Sequence, residues 1–160
     1  MSKKFALSLG LIAAVGLVGC ASSPSMQSAS SESCKPTSEA EISALFDRWN
    51  QSLQTGDPHK VTANYAERSI LLPTLSNKPR RSVAEKEDYF HHFLENGPSG
   101  TIDLRQVELG CNMAVDAGLY TFKFAKTGAS VSGRYSYTYR WNGKDWLITS
   151  HHSSMMPETM

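Results

Sequence analysis

The chain has 160 residues, of which 40% are apolar and 19% charged, with 16 basic and 15 acidic side chains. This composition excludes wholesale disorder, and a formal net charge of +1 excludes the basic face of a general nucleic-acid binder. The length suits one domain with an appendage.

Lys3 and Lys4 precede an apolar run from Phe5 to Val18, interrupted only by Ser8, Gly10 and Gly16. The run is shorter than the roughly 20 residues a membrane-spanning helix needs, and it fits the apolar region of an export signal. It closes on Leu17-Val18-Gly19-Cys20, which resembles the lipobox of bacterial lipoproteins. The resemblance implies that residues 1–19 are a signal peptide, cut before Cys20, and that the Cys20 thiol carries lipid. Ala21 is not acidic, which by analogy with enteric lipoproteins favours the outer membrane. The expected location is the periplasmic face of a bacterial membrane, held through the lipid anchor alone. Ala21 to Ser33 contains seven serines in 13 residues. Such a segment cannot bury enough surface to fold, so residues 20–33 are expected to be a lipidated cysteine and a flexible tether reaching on the order of 40 Å.

With Cys20 assigned to lipid by that resemblance, Cys34 and Cys111 remain. An exported compartment permits a disulfide between them, which would close a long loop and stabilise the domain by roughly 4 kcal/mol. Two unpaired thiols are the alternative. No histidine has zinc-type spacing with either cysteine, so no metal is expected there.

Ser38-Glu39-Ala40-Glu41 has the pattern of a capping box, and Ile42, Leu45, Phe46, Trp49 and Leu53 follow at helical spacing. A first helix is predicted over 39–54, ended by Gly56. Asp57-Pro58 opens a short second helix to about Asn64. Ser69–Leu75 reads as a strand, with Pro73 marking an edge or bend. Ser82-Val83-Ala84-Glu85 is a second capping box, opening a helix to about Glu95 with Tyr89, Phe90, Phe93 and Leu94 as its apolar stripe.

From Thr101 the period changes to two. Ile102 and Leu104 alternate, then Val107 and Leu109 in the other phase, which predicts a bulge near Arg105-Gln106. Val115–Ala125 is the next strand, with Tyr120, Phe122 and Phe124 on one face. Val131, Tyr135, Tyr137, Tyr139 and Trp141 alternate in the third. Asn142-Gly143 signals a hairpin, and Trp146–Ser153 returns. Helices followed by long antiparallel strands make the domain, residues 34–160, α+β.

This order resembles the nuclear transport factor 2-like (SnoaL-like) superfamily. Within it the chain is similar to the association domain of calcium/calmodulin-dependent protein kinase II. Three motifs carry the likeness: Gln54-Thr55-Gly56-Asp57 between the first helices, Asp88 to Asn96 in the aromatic helix, and Trp146-Leu147 followed by His151-His152-Ser153-Ser154 and Pro157. The resemblance implies a cone-shaped fold, with about three N-terminal helices packed on a strongly bent antiparallel sheet and a pocket between them. It also implies self-association, as a homodimer or higher homo-oligomer. No glycine-rich ATP loop, HRD or DFG occurs, so no kinase activity belongs to this chain.

Trp49, Tyr65, Tyr89, Tyr135, Tyr137 and Tyr139 could line a partly aromatic ligand pocket, with plain core packing as the alternative. His151 and His152 are adjacent in a strand, so only one can face the pocket; His152 is placed in the ligand-binding set, and either is a weak candidate for a general base. His91 and His92 border a helix stripe and, with the other pair, do not make an evident metal site. Arg80-Arg81 could guard the pocket mouth, while Arg134 and Arg140 share the face opposite the tyrosines. Asp47 and Asp57 lie near the first helix, where Asp57 is better explained as a cap, and Asp116 lies in a strand and could point either way; none is compelling as a catalytic base. The sequence therefore reads as an exported, self-associating domain binding an unknown small molecule, without cofactor or metal and with no nucleic-acid partner. The alternative is a cofactor-free isomerase, cyclase or hydrolase using a pocket histidine and tyrosine.

Overall fold

In a computed structural model, residues 33–157 are described; the expected signal peptide, Cys20 and most of the tether lie outside the described residues. Helix α1 (Glu39–Leu53) starts where Ser38 accepts a hydrogen bond from the Glu41 amide. The reciprocal half of the expected capping box is missing. The Glu41 carboxylate instead accepts from Lys35 Nζ (2.5 Å), Thr37 Oγ1 (2.8 Å) and Trp146 Nε1 (3.2 Å), which ties the helix start to the sheet and holds that carboxyl below its usual pKa. Helix α2 (Pro58–Thr62) is capped by Asp57, whose Oδ1 accepts from the His59 amide at 2.9 Å. Helix α3 (Val83–Leu94) carries a complete capping box between Ser82 and Glu85.

Five strands form one sheet: β1 (Tyr65–Leu72), β2 (Pro98–Gly110), β3 (Met113–Phe124), β4 (Ser130–Trp141) and β5 (Trp146–Met155), in the order β1-β5-β4-β3-β2. β2 to β5 pair antiparallel, but β1 lies parallel to β5. The sheet is therefore mixed rather than purely antiparallel. β1 also begins earlier than expected and stops before Pro73, a residue with no amide to donate. Beyond it, Leu71 and Arg80 exchange two backbone hydrogen bonds of 2.9 Å that fold the following loop back against this edge.

The bulge in β2 falls between Ile102 and Leu104, earlier than the phase switch suggested. Opposite it sits Gly118, where a Cβ would lie 1.9 Å from the Leu104 carbonyl oxygen. Only a residue without a side chain allows β3 to approach the bulge so closely. The β4–β5 connection is a four-residue loop, Asn142 to Asp145. The Asn142 side chain accepts from the amides of Lys144 (2.9 Å) and Asp145 (2.7 Å), and Gly143 takes φ +99°.

The three helices lie against one face of the sheet. From α1, Ile42, Phe46, Trp49 and Leu53 are buried against inward-facing residues of the strands, including Tyr135, Tyr137, Tyr139 and Ile148. Cys111 sits in the tight turn between β2 and β3 and is joined to Cys34 by a disulfide with Cα atoms 4.8 Å apart. Next to it, Asn112 at φ +54° accepts from the Lys35 amide (2.8 Å) and donates to the Ser33 carbonyl (3.2 Å). The entry of the domain is thus tied both covalently and by hydrogen bonds to the far end of β2 and β3.

Two outcomes follow from these contacts. Cys111→Ser should lower the unfolding free energy by roughly 4 kcal/mol in urea denaturation, since the bridge closes a loop with a sequence separation of 77. Gly118→Ala should cost more than about 2 kcal/mol, because backbone must move to admit the methyl; an unchanged urea midpoint would contradict the close approach.

Candidate functional site

A cavity of about 510 Å³ opens between α3, the loop after β1 and the inner face of β3, β4 and β5, within the size range of small-molecule sites. Its walls are built by two amphipathic patterns facing each other. α3 contributes Tyr89, Phe90 and Phe93, one stripe of a 3.6-residue repeat. β3 contributes Tyr120, Phe122 and Phe124, one face of a two-residue repeat. Leu71 and Pro73 close the β1 side, and Trp49 reaches in from α1. At Gly133 of β4 a Cβ would meet the Tyr120 ring at 2.9 Å, so bare backbone there gives that ring its place in the wall.

Three sets of polar contacts stand out in the lining. The Ser153 hydroxyl is hydrogen-bonded to both Thr74 Oγ1 and Tyr120 OH. Arg80 stands at the mouth, donating from Nη1 to Asp88 at 2.8 Å while its guanidinium lies 5.8 Å from the Tyr89 ring centroid. The third is His151, which is 4% exposed. Its ring stacks on Tyr137 with centroids 4.2 Å apart and meets Trp49 edge-on at 5.4 Å. Nδ1 shares a hydrogen bond of 2.7 Å with Tyr65 OH, whereas Nε2 is buried without a partner. Burial, reinforced by neighbouring His152, pushes His151 down to about 3, so the imidazole is neutral at physiological pH. No Asp or Glu lines the cavity among the described residues.

Of the residues expected at the pocket, Trp49 and Tyr89 line the cavity. Tyr65, Tyr135, Tyr137 and Tyr139 are buried in the core instead and line none of it. The reason is α1: Phe46 lies over Tyr135 and Tyr137 with centroids 6.3 Å apart, and Trp49 meets Tyr137 at 5.9 Å, which covers this stretch of β4. His152 is exposed on the outer face, opposite Ser136 of β4; the histidine at the cavity is His151. Arg134 and Arg140 are exposed, and Arg81 is exposed while Arg80 lines the mouth. Asp116 points inward, 0% exposed, its Oδ1 accepting from Arg105 Nε (3.2 Å) and Tyr135 OH (2.8 Å). Burial raises its pKa despite those two donors, and none of the three residues lines the cavity.

Residues 38–157 match the family model of the calcium/calmodulin-dependent protein kinase II association domain. The chain belongs to that family. It is similar to a Xanthomonas campestris protein assigned to the same association domains, with 46% identity and a TM-score of 0.71, over 80% of this chain and 98% of the other. A nuclear transport factor 2-like protein of unknown function from Pseudomonas putida shares 18% identity at a TM-score of 0.64, over 72% of this chain and 84% of that one. An association-domain relative from Thiobacillus denitrificans has 12% identity and a TM-score of 0.61, over 71% of this chain and 94% of that one. The latter two likenesses speak for the fold alone, which is the nuclear transport factor 2-like α+β fold. No curated protein matches the chain.

The buried histidine gives this association domain a defined acid response. An unfolded histidine titrates near 6.5 and the folded His151 near 3, so between these values the unfolded chain binds more protons. Stability is therefore fully present above pH 6.5 and falls as the pH is lowered towards 3. Urea midpoints should be lower at pH 5 than at pH 7, and His151→Gln, which retains a partner for Tyr65, should shrink that difference. An equal difference in the variant would remove His151 as the cause.

Proposed function

We propose that the chain is an exported, lipid-anchored association domain that assembles with copies of itself and holds a small ligand in its cavity, with no kinase activity of its own. The observation that carries the binding reading is the cavity itself: about 510 Å³, aromatic on two sides, with hydroxyls and one guanidinium at defined places. Apolar walls with a few convergent polar groups are what a small-molecule site requires.

Binding is preferred over catalysis for two physical reasons. An isomerase of the ketosteroid type needs a carboxylate base in a dry pocket, and the lining of this cavity has none among the described residues. The histidine present is weakly basic in its buried setting, far from the near-neutral value that suits a general base. The Tyr65–His151 pair remains the one feature that favours the alternative of a cofactor-free isomerase, cyclase or hydrolase.

Self-association is supported by family membership and by the outer face of the sheet. There β3 presents Met113, Val115, Ala117 and Leu119, none fully buried, between the inward-facing Ala114, Asp116 and Tyr120. Leu104 beside them on β2 is 55% exposed. An apolar patch of this kind is a surface for another protein.

The protein should sediment as a dimer or larger, and Leu119→Glu should shift it to the monomer with unchanged circular dichroism. A wild-type monomer at high micromolar concentration would sink the assembly reading. The anchor is tested by palmitate labelling in cells, which should vanish in Cys20→Ala. Turnover of any candidate substrate that disappears in His151→Ala would favour the enzyme instead.

A further inference from the structure

His91, His92 and Glu95 occupy the last turn of α3 and the residue after it. As a sequence the two histidines lacked a third donor. The fold supplies one: the ligand atoms of all three residues lie within 4.8 Å of one another. Glu95 Oε1 is 3.8 Å from His91 Nδ1 and 3.6 Å from His92 Nδ1. Donors of a tetrahedral ion with arms of about 2.1 Å stand roughly 3.4 Å apart, so rotations of exposed side chains suffice to close the set.

We propose that His91, His92 and Glu95 bind one divalent transition-metal ion of the zinc class at the rim of the cavity. Two imidazoles and one carboxylate form a borderline donor set that suits zinc and disfavours magnesium or calcium, which prefer oxygen alone. Among the described residues, the only ion-pair partners these three groups have are one another, and no lysine or arginine there pairs with the carboxylate. Their side chains are 69%, 71% and 54% exposed, which leaves room for the ion and for water in its remaining positions. The end of a helix, where carbonyl oxygens point outward, favours a cation.

The position gives the ion a relation to the cavity. His92 and Asn96 both line the cavity, and the His92 side chain is 71% exposed, so a zinc ion held by His92 stands at the solvent side of the cavity wall. Three protein donors leave a position open, and that position is available to an oxygen or nitrogen of a molecule occupying the cavity.

The test titrates zinc chloride, and separately cobalt(II), into the untagged protein, with calorimetry for zinc and visible absorption for cobalt. One equivalent should bind in the micromolar range, with cobalt giving the absorption of a four- or five-coordinate nitrogen and oxygen site. His91→Ala, His92→Ala and Glu95→Gln should each weaken binding at least tenfold. All three positions are exposed, and thermal unfolding without metal should match wild type. His59→Ala, which removes a histidine 2.6 Å from Glu87 elsewhere on the surface, should leave the affinity unchanged. Absence of micromolar binding would overturn the proposal, as would binding that survives the three substitutions or is lost with His59→Ala.

Discussion

The packing of Trp49 is the constraint from which the rest of this architecture follows. Its indole, 2% exposed, is the place where α1, α3 and the sheet converge. It meets Phe90 of α3 at 6.2 Å, Phe122 of β3 at 6.2 Å, Tyr137 of β4 at 5.9 Å and His151 of β5 at 5.4 Å, all near edge-to-face. Such pairs are favourable beyond the area they bury. One side chain thereby seals the core on one side and forms part of the cavity wall on the other. Core and cavity cannot be altered independently at this point: the side chain that packs α1 on the sheet is also part of the cavity wall.

Elements with strong period or caps were legible in the sequence. Ser82 and Glu85 with the stripe Tyr89, Phe90 and Phe93 define α3 in both readings, and Asp57-Pro58 defines the start of α2. The alternation of Tyr135, Tyr137 and Tyr139 correctly placed them on one inward face. What alternation cannot express is which part of an inward face a helix covers. α1 lies over the tyrosines, so the cavity takes its β-wall from Tyr120, Phe122 and Phe124 of the neighbouring strand. That run was visible too, but nothing local distinguishes a residue facing a helix from one facing open space.

Which of His151 and His152 faces the cavity was not legible for a related reason. Adjacent residues in a strand point to opposite faces, but the register shift between Thr138 and Tyr139 in the β4–β5 pairing changes the phase within the strand. Alternation carried on from the buried Trp146 and Ile148 would bring His152 inward, whereas past the shift Tyr137 stands opposite His151, which is the inward residue. The parallel pairing of β1 was equally invisible, because it joins distant segments and leaves no turn signal.

That parallel pairing has a consequence for how the molecule is made. β5 is the last strand among the described residues, yet it lies inside the sheet between β1 and β4. Until it arrives, β1 has no strand to join and β4 is an open edge, so during synthesis the first half of the domain waits with apolar surface and unpaired amides uncovered. Contacts this remote in sequence form slowly, and incomplete chains with open strand edges are prone to pair with one another. A truncation anywhere before Trp146 thus removes the interior of the sheet rather than its margin, and the fold is completed from its C-terminal end.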